Sequence, residues 1–160
     1  LRIIDKLLEN FKEFDVLGIA GTRKISFKQP IIAWHNSEKE FWSGGCAHPI
    51  KENKESNKTK IYYNSFGIFE KRVLTLDGVF LAVKRKVFED GIRFDENFDF
   101  DFYDLAFCLR CHKAGFKIGT CPIFCVHLSH GSGIYKLSYF QAQQKFIELY
   151  KKDNKEVDHK

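Results

Sequence analysis

The sequence has 160 residues, the length of one domain with room for a hydrophobic core. Its apolar content of 44% and charged content of 29% are typical of a soluble globular protein, and no apolar run approaches the roughly 20 residues that span a bilayer. We therefore expect no integral membrane segment and a cytoplasmic location. The net charge is +5, and no nucleic-acid reader motif accompanies the lysines, so we expect no nucleic-acid partner.

The chain begins at Leu1 and contains no Met, which suggests a piece of a longer protein. Its first predicted element is an amphipathic helix over residues 2–13, where apolar side chains recur at helical spacing. The apolar run at residues 16–21 is typical of a strand buried on both faces in a mostly parallel sheet. Residues 21–45 look like loop, with a tight turn at residues 43–45. Residues 51–60 contain no apolar side chain and predict a mobile exposed loop.

The second half of the chain alternates predicted strands and helices. β-Branched and aromatic side chains predict strands at residues 61–66 and 69–76, and residues 79–83 predict a further buried strand. Three helices are predicted at residues 85–90, 102–114 and 136–151. Gly91 and Gly115 are the expected ends of the first two, because glycine accepts the left-handed conformation that closes a helix.

The start of the helix at residues 102–114 contains the first candidate site. Asp104 lies in its first turn and Arg110 in its middle. An alcohol hydroxyl becomes a useful nucleophile only when a positioned base removes its proton, and a carboxylate directed into a cleft is such a base. The alternative is a carboxylate that stabilises the helix through its dipole, worth about 0.3–1 kcal/mol. The spacing alone favours this alternative.

Two further candidates follow or precede predicted strands. His127 leaves an apolar extended segment and is followed by His130 in a glycine-rich loop, which is typical of a metal or phosphate site. A histidine hydrogen-bonded at a strand end is an equally good interpretation. Asp77 and Gly78 precede a strand, where the carboxylate would reach a substrate hydroxyl; a simple Asp-Gly turn is the more probable local interpretation.

The five cysteines allow one more hypothesis. Cys108, Cys111 and His112, followed by Cys121 and Cys125, have spacings that a Cys/His zinc site would need. The first pair lies inside a predicted helix and the second pair on an apolar segment, which are ordinary places for small buried thiols. We therefore expect free thiols.

Five segments, taken together and in this order, resemble the glycosyltransferase-like family 2 proteins. They are residues 76–82 (LDGVFLA), 93–96 (RFDE), 102–110 (FYDLAFCLR), 114–119 (AGFKIG) and 127–131, the last with its His, Ser and Gly at alternate positions. Residues 17–23 (LGIAGTR) also fit that family's pattern. The resemblance implies an α/β chain with a mixed, mostly parallel sheet flanked by helices, as part of a GT-A fold.

The resemblance also implies roles. Asp104 matches the general base of inverting enzymes, which transfer a sugar from a nucleotide sugar to a glycan or other hydroxyl acceptor. Asp77 matches a position on the acceptor side of the cleft, and we include Gly78, Tyr103 and Arg110 among the candidate acceptor-binding residues. His127, with His130 as the alternate, matches a histidine that completes a Mg²⁺ or Mn²⁺ site. Asp104 and His127 are therefore expected to converge on one groove.

The sequence departs from the family's pattern in two ways. Ala106 occupies a position that is usually acidic, and the strands that carry the nucleotide-binding and metal-binding carboxylates are missing before Leu1. We therefore expect residues 1–151 to be the C-terminal, acceptor and metal side of a GT-A domain, with little activity alone, and residues 152–160 to be a polar tail. The alternatives are a non-catalytic sugar-binding or nucleotide-binding module on a decayed transferase, and a small zinc domain. Donor sugar, acceptor, linkage and oligomeric state are left open, and an oligomer is compatible with the sequence.

Overall fold

The computed structural model of the chain describes residues 2–27, 32–50, 60–128 and 135–152. Within them the chain forms α-helices and short strands, with 3₁₀ turns at Trp34–Asn36 and Lys39–Phe41. The α-helices are α1 (Ile3–Asn10), α2 (Arg85–Glu89), α3 (Tyr103–Lys113) and α4 (Leu137–Tyr150). The strands are β1 (Val16–Gly18), β2 (Ala20–Thr22), β3 (Trp42–Pro49), β4 (Ile61–Ser65), β5 (Thr75–Leu76), β6 (Leu81–Val83) and β7 (Ile118–Thr120).

The strands form two sheets that share the segment around Ile19. β1 lies at the centre of a sheet of order β6-β1-β7, antiparallel to β6 and parallel to β7. β2 belongs to a second sheet of order β4-β3-β2-β5, in which every strand pairing is antiparallel. The predicted strand at residues 16–21 is therefore two strands in two sheets. The α/β class is confirmed, but the mostly parallel arrangement is wrong, because β1 with β7 is the one parallel strand pair in the part of the chain described.

The longest strand, β3, lies where the sequence predicted a loop with a tight turn. Its glycines are required by close packing. A Cβ on Gly44, which has a φ of +98°, would lie 2.0 Å from the carbonyl oxygen of Ile19. A Cβ on Gly45 would lie 2.2 Å from the hydroxyl of Tyr63 on the neighbouring strand. Glycine has low strand propensity, so the same residues that allow this strand to form prevent its prediction from strand propensity.

Helix α3 is packed on two sides. One side, with Leu105 and Leu109, shares a buried cluster with Tyr139 and Phe146 of α4. The other side, with Phe107, Cys108 and Cys111, packs against Val16 and Ile118 in the sheet of β1 and β7. The start of α3 is consequently held in place from both sides, and its first turn is the part of the helix that faces a cleft.

Phe102, the residue before α3, has a left-handed backbone conformation with a φ of +70°. Such a conformation costs a non-glycine residue about 1–2 kcal/mol. The ring is buried, with its centroid 5.0 Å from that of Phe146 and 5.1 Å from that of Tyr139. The Phe102 ring packs in the core, and Phe102, Tyr103 and Asp104 all contribute to the cleft wall.

The predicted helices agree with the structure within a few residues, and α2 and α3 are followed by Gly91 (φ +87°) and Gly115 (φ +86°) as expected. Helix α1 is amphipathic, but Ile3, Ile4 and Leu8 are exposed, so only part of its apolar stripe is packed. No helix in the described ranges is both long enough and apolar enough to cross a bilayer.

The predicted strands agree less well. β4 lies within residues 61–66 as predicted, but residues 69–76 contribute only β5 and residues 79–83 only β6, which is half-buried rather than buried. The predicted mobile loop at 51–60 lies outside the described residues except for Lys60, and the predicted tail at 152–160 lies outside them except for Lys152.

Candidate active site

The turn between β5 and β6 meets the start of α3. The backbone N–H of Gly78 donates a hydrogen bond of 2.7 Å to Oδ2 of Asp104, and the hydroxyl of Tyr103 donates one of 3.2 Å to the carbonyl oxygen of Gly78. A Cβ on Gly78 would lie 2.0 Å from the Tyr103 hydroxyl oxygen, so any larger residue would displace the Tyr103 ring. The Asp-Gly turn is therefore the partner of Asp104, which explains why both segments belong to one site although 26 residues separate Gly78 from Asp104.

Asp104 is the most strongly perturbed carboxylate of this site. Burial, followed by the negative charge of Asp77, raises its pKa from 3.8 to about 6. The N–H groups of Leu105 and Gly78, which donate to the two carboxylate oxygens, oppose this rise. A carboxylate with a pKa near 6 is ionised at pH 7.5 and is also a stronger base than an exposed aspartate.

Asp77 is held by two donors. Its Oδ2 accepts a hydrogen bond of 2.6 Å from Nε1 of Trp34, and its Oδ1 accepts one of 2.8 Å from the backbone N–H of Val79. Its own N–H donates to the carbonyl oxygen of Ala20. Because both oxygens have donors, the carboxylate is fixed in orientation and its charge acts on Asp104 from a constant position.

An open cleft of about 490 Å³ lies in front of the two carboxylates. Three of its lining residues are acidic, namely Asp77, Asp101 and Asp104, and two are histidines, His35 and His127. Aromatic side chains form much of the remaining wall: Trp34, Phe100, Phe102, Tyr103, Tyr135 and Tyr139. The cleft thus brings together Asp77, Gly78, Tyr103, Asp104 and His127 of the residues that the sequence singled out.

His127 reaches the cleft through backbone pairing with β3. Its N–H donates a hydrogen bond of 2.8 Å to the carbonyl oxygen of Ala47, and Val126 forms a parallel bridge with Ala47. The register places His127 beside His48, with ring centroids 5.5 Å apart. The expected convergence of Asp104 and His127 on one groove is therefore confirmed, and His130, the alternate histidine, lies outside the described residues.

The described residues do not by themselves make a metal site. No group of three or more His, Cys, Asp or Glu side chains within these ranges is arranged to hold a metal ion. Hard divalent cations need several oxygen ligands, which one imidazole does not replace. The expected Mg²⁺ or Mn²⁺ remains a prediction, with His127 as a single candidate ligand.

The alternative hypothesis of a Cys/His zinc site has no support in the described part of the chain. Cys108 and Cys111 are buried in one hydrophobic cluster, whereas Cys121 is buried in another and packs there with Cys125. All five cysteines are free, as expected. Burial raises the pKa of Cys111 to about 12 and that of Cys121 to about 11, so these thiols stay protonated and apolar.

Arg110 does not line the cleft of Asp104. It lies six positions later on α3 and faces a separate depression of about 450 Å³ between α3 and α4, with Asp95 and Tyr150. The Tyr150 hydroxyl donates a hydrogen bond of 2.6 Å to Oδ2 of Asp95. The structure therefore separates Arg110 from the other candidate residues, and its predicted role in acceptor binding has no geometric support.

Ala106 lies in the core and not in the cleft. It is fully buried in the cluster that joins α3 to α4. Asp104 and Ala106 are two positions apart on one helix, so their side chains point in different directions. At the start of α3 as it stands, Asp104 rather than position 106 faces the cleft.

Sequence reasoning missed several lining residues, including Trp34 and His35. Trp34 and His35 lie in a stretch without helical or strand periodicity, and Trp34 meets Asp77 only through a contact spanning 43 residues. A buried tryptophan needs a hydrogen-bond acceptor for its N–H, and this need is the feature of Trp34 from which a polar partner could have been predicted. The sequence leaves the pair Asp99 and Asp101 open as either an accidental match or a feature of the acceptor site, and Asp101 lines the cleft.

An α/β chain with a carboxylate of raised pKa in the wall of an open, largely aromatic cleft contains a candidate active site. Comparison with known families gives the particular assignment. The family model described as "Glycosyltransferase like family" matches residues 1–151, and the chain belongs to that family. Comparisons with curated proteins and with solved structures found no match. The resemblance noted in the sequence is thus confirmed.

Proposed function

We propose that the chain carries the acceptor side of a glycosyltransferase that uses a nucleotide sugar and inverts the anomeric centre. Membership of the glycosyltransferase-like family supports sugar transfer in general. The observation that carries the finer proposal is the carboxylate of Asp104, whose pKa is raised to about 6 where α3 opens onto the cleft. That carboxylate is the group best suited there to accept a proton from a hydroxyl.

The proposed reaction is a single displacement. An acceptor hydroxyl in the cleft donates a hydrogen bond to Asp104, and the carboxylate takes its proton as the oxygen attacks the anomeric carbon of the donor. The new C–O glycosidic bond forms as the C–O bond to the diphosphate breaks, and the electron pair leaves with the nucleoside diphosphate. Attack opposite the leaving group inverts the configuration.

The surrounding residues position and tune this base. Each oxygen of Asp104 already accepts one backbone N–H and has a second lone pair for an acceptor hydroxyl. Asp77 increases the basicity of Asp104 by its charge, and Trp34 holds Asp77 in place. Tyr103 and Gly78 fix the turn through the hydrogen bond between them. These residues are positioning residues, whereas Asp104 is the proposed catalytic residue.

A divalent cation, Mg²⁺ or Mn²⁺, is retained as a proposal because such an ion neutralises a departing diphosphate. None of the steps above depends on it. The glycan acceptor, the nucleotide-sugar donor and any oligomer are likewise proposals.

A non-catalytic sugar-binding or nucleotide-binding module is the second candidate. Ala106 favours it, because the resemblance leads one to expect an acid at that position. Its burial in the core offers a structural explanation that does not require loss of activity. The transferase and the binding module differ in one measurable respect, because only the transferase forms a glycosylated product.

The test is transfer by the natural full-length protein, assayed with a panel of nucleotide sugars and glycan acceptors, with and without Mn²⁺. Release of nucleoside diphosphate and the mass of the product measure turnover, and NMR coupling at the new anomeric carbon reports inversion. Binding of donor and acceptor by calorimetry without any product would favour the module. A product with retained configuration would contradict the proposed displacement.

A further inference from the structure

The charge of the cleft is one-sided. Asp77, Asp101 and Asp104 line it, and no Lys or Arg lines it among the described residues. Burial raises the pKa of Asp101, and the nearby charge of Lys136 opposes that rise. Lys136 is exposed, and its positive charge lowers the pKa of Asp101 by less than burial raises it. An anionic group entering the cleft would therefore meet three carboxylates and no Lys or Arg side chain among the described lining residues.

The uncharged part of the wall is largely aromatic. The Tyr135 and Tyr139 rings lie with their centroids 4.3 Å apart, and Tyr135 remains 36% exposed. Tyr139 is held by its hydroxyl, which donates a hydrogen bond of 2.8 Å to the carbonyl oxygen of Ile32. Flat rings beside fixed hydrogen-bond acceptors suit a pyranose, whose C–H face packs on rings while its hydroxyls donate to carboxylates.

We propose that the acceptor held in this cleft is a carbohydrate without phosphate, sulfate or carboxylate groups near the reacting hydroxyl. The inference rests on the proposed function and narrows its acceptor class. Like charges placed together discriminate against the wrong ligand more effectively than a missing contact does. The carboxylates that accept hydroxyl protons and hydrogen bonds thus also reject anionic acceptors.

The experiment compares three forms of one acceptor sugar that differ only in charge: the neutral methyl glycoside, its phosphate monoester and its amino analogue. Transfer by the natural full-length protein is measured at pH 8, where Asp104 with its pKa of about 6 is ionised, and in low salt. We expect kcat/KM for the phosphate form to be lower than for the neutral form by about tenfold or more. The amino form should equal or exceed the neutral form. Added salt should narrow the difference, because it screens the charges.

A matched pair of variants locates the effect. Asp101→Asn removes one charge from the cleft wall. Asp99→Asn removes one charge two residues earlier in the chain, at a residue that does not line the cleft. We expect Asp101→Asn to reduce the discrimination against the phosphate form by about two- to fivefold, and Asp99→Asn to leave it unchanged. Equal changes in both variants would overturn the assignment of the effect to the cleft.

The inference and the proposed function fail in different ways. Transfer to the phosphate form as fast as to the neutral form refutes the inference and leaves sugar transfer intact. Absence of transfer to every acceptor refutes the proposed function. In that case calorimetric binding of the same three sugars still tests the inference, because tighter binding of the phosphate form would contradict it.

Discussion

Replacing Asp104 with Asn removes the charge of the proposed base at nearly constant volume. The amide keeps one oxygen as an acceptor, but its NH₂ group faces one of the two backbone N–H donors, Gly78 or Leu105, that the carboxylate now accepts. The variant therefore loses the proton acceptor and one hydrogen bond. If Asp104 takes the proton of the acceptor hydroxyl, kcat for transfer should fall by about 10²–10⁴, the usual contribution of a positioned base.

The raised pKa gives a second, independent magnitude. A pKa of about 6 in the folded chain, against 3.8 when unperturbed, corresponds to about 3 kcal/mol that favours the protonated form. The folded state thus binds this proton more tightly than the unfolded state does. The stability that this proton contributes is fully present below the unfolded-state pKa of 3.8 and is lost as the pH rises through the folded-state pKa of about 6.

This sign fixes what the Asn variant should show. Asn does not titrate, so the variant lacks the loss of stability that Asp104 causes on raising the pH. The free energy of unfolding of the variant, relative to the wild type, should increase by about 2 kcal/mol between pH 4.5 and pH 7.5. Urea unfolding at the two pH values measures it, and titrating groups that do not interact with Asp104 cancel in the comparison.

Asp99→Asn is the matched control, because this side chain is exposed and lies outside the cleft. It should change neither transfer nor the pH dependence of stability. Transfer within threefold of the wild-type rate in Asp104→Asn would remove this carboxylate from the mechanism. An unfolding difference that is the same at both pH values would show that its pKa is not raised, and the argument for its basicity would fail.

Three further changes test the supporting residues. Gly78→Ala places a Cβ against the Tyr103 hydroxyl and should lower kcat/KM about tenfold with a small effect on thermal stability; an unchanged rate would show that the turn tolerates the displaced ring. Trp34→Phe removes the hydrogen bond to the Asp77 carboxylate, so it should lower activity and should lower the free energy of unfolding by about 1.5–3 kcal/mol. Trp42→Phe is the control, because it removes hydrogen bonds to the uncharged acceptors of Ser37 and should leave activity unchanged. If a divalent cation takes part, EDTA should abolish transfer and added Mn²⁺ should restore it. His127→Ala should raise the Mn²⁺ concentration that gives the half-maximal rate. Transfer that continues in EDTA would contradict the metal prediction.

The sequence was most informative where local chemistry decides the structure. Helix α3 has buried apolar faces and a glycine stop at Gly115, and both signals are local. The common location of Asp104, Asp77 and His127 came instead from the family resemblance, since spacing alone favoured a helix-dipole role for the first. The structure supports that common location through the Gly78–Asp104 hydrogen bond and the shared cleft.

The misses have a different physical origin. β3 forms because Gly44 and Gly45 let neighbouring strands approach within distances that any side chain would block. The switch between sheets at Ile19 depends on partners far along the chain, such as β6 and β7 for β1 and β5 for β2. Pairings of this kind are set by tertiary packing and leave little trace in a local window.

The left-handed turn at Phe102 ties the chemistry of the cleft to a distant helix. Its ring stays in the core because Tyr139 and Phe146 of α4 pack on it, so packing against α4 stabilises the turn. Shortening Phe146 would free the backbone at residue 102 to relax, and the carboxylate two residues later would swing with it. Inactivating lesions in this protein should therefore include some in α4 that never touch a sugar.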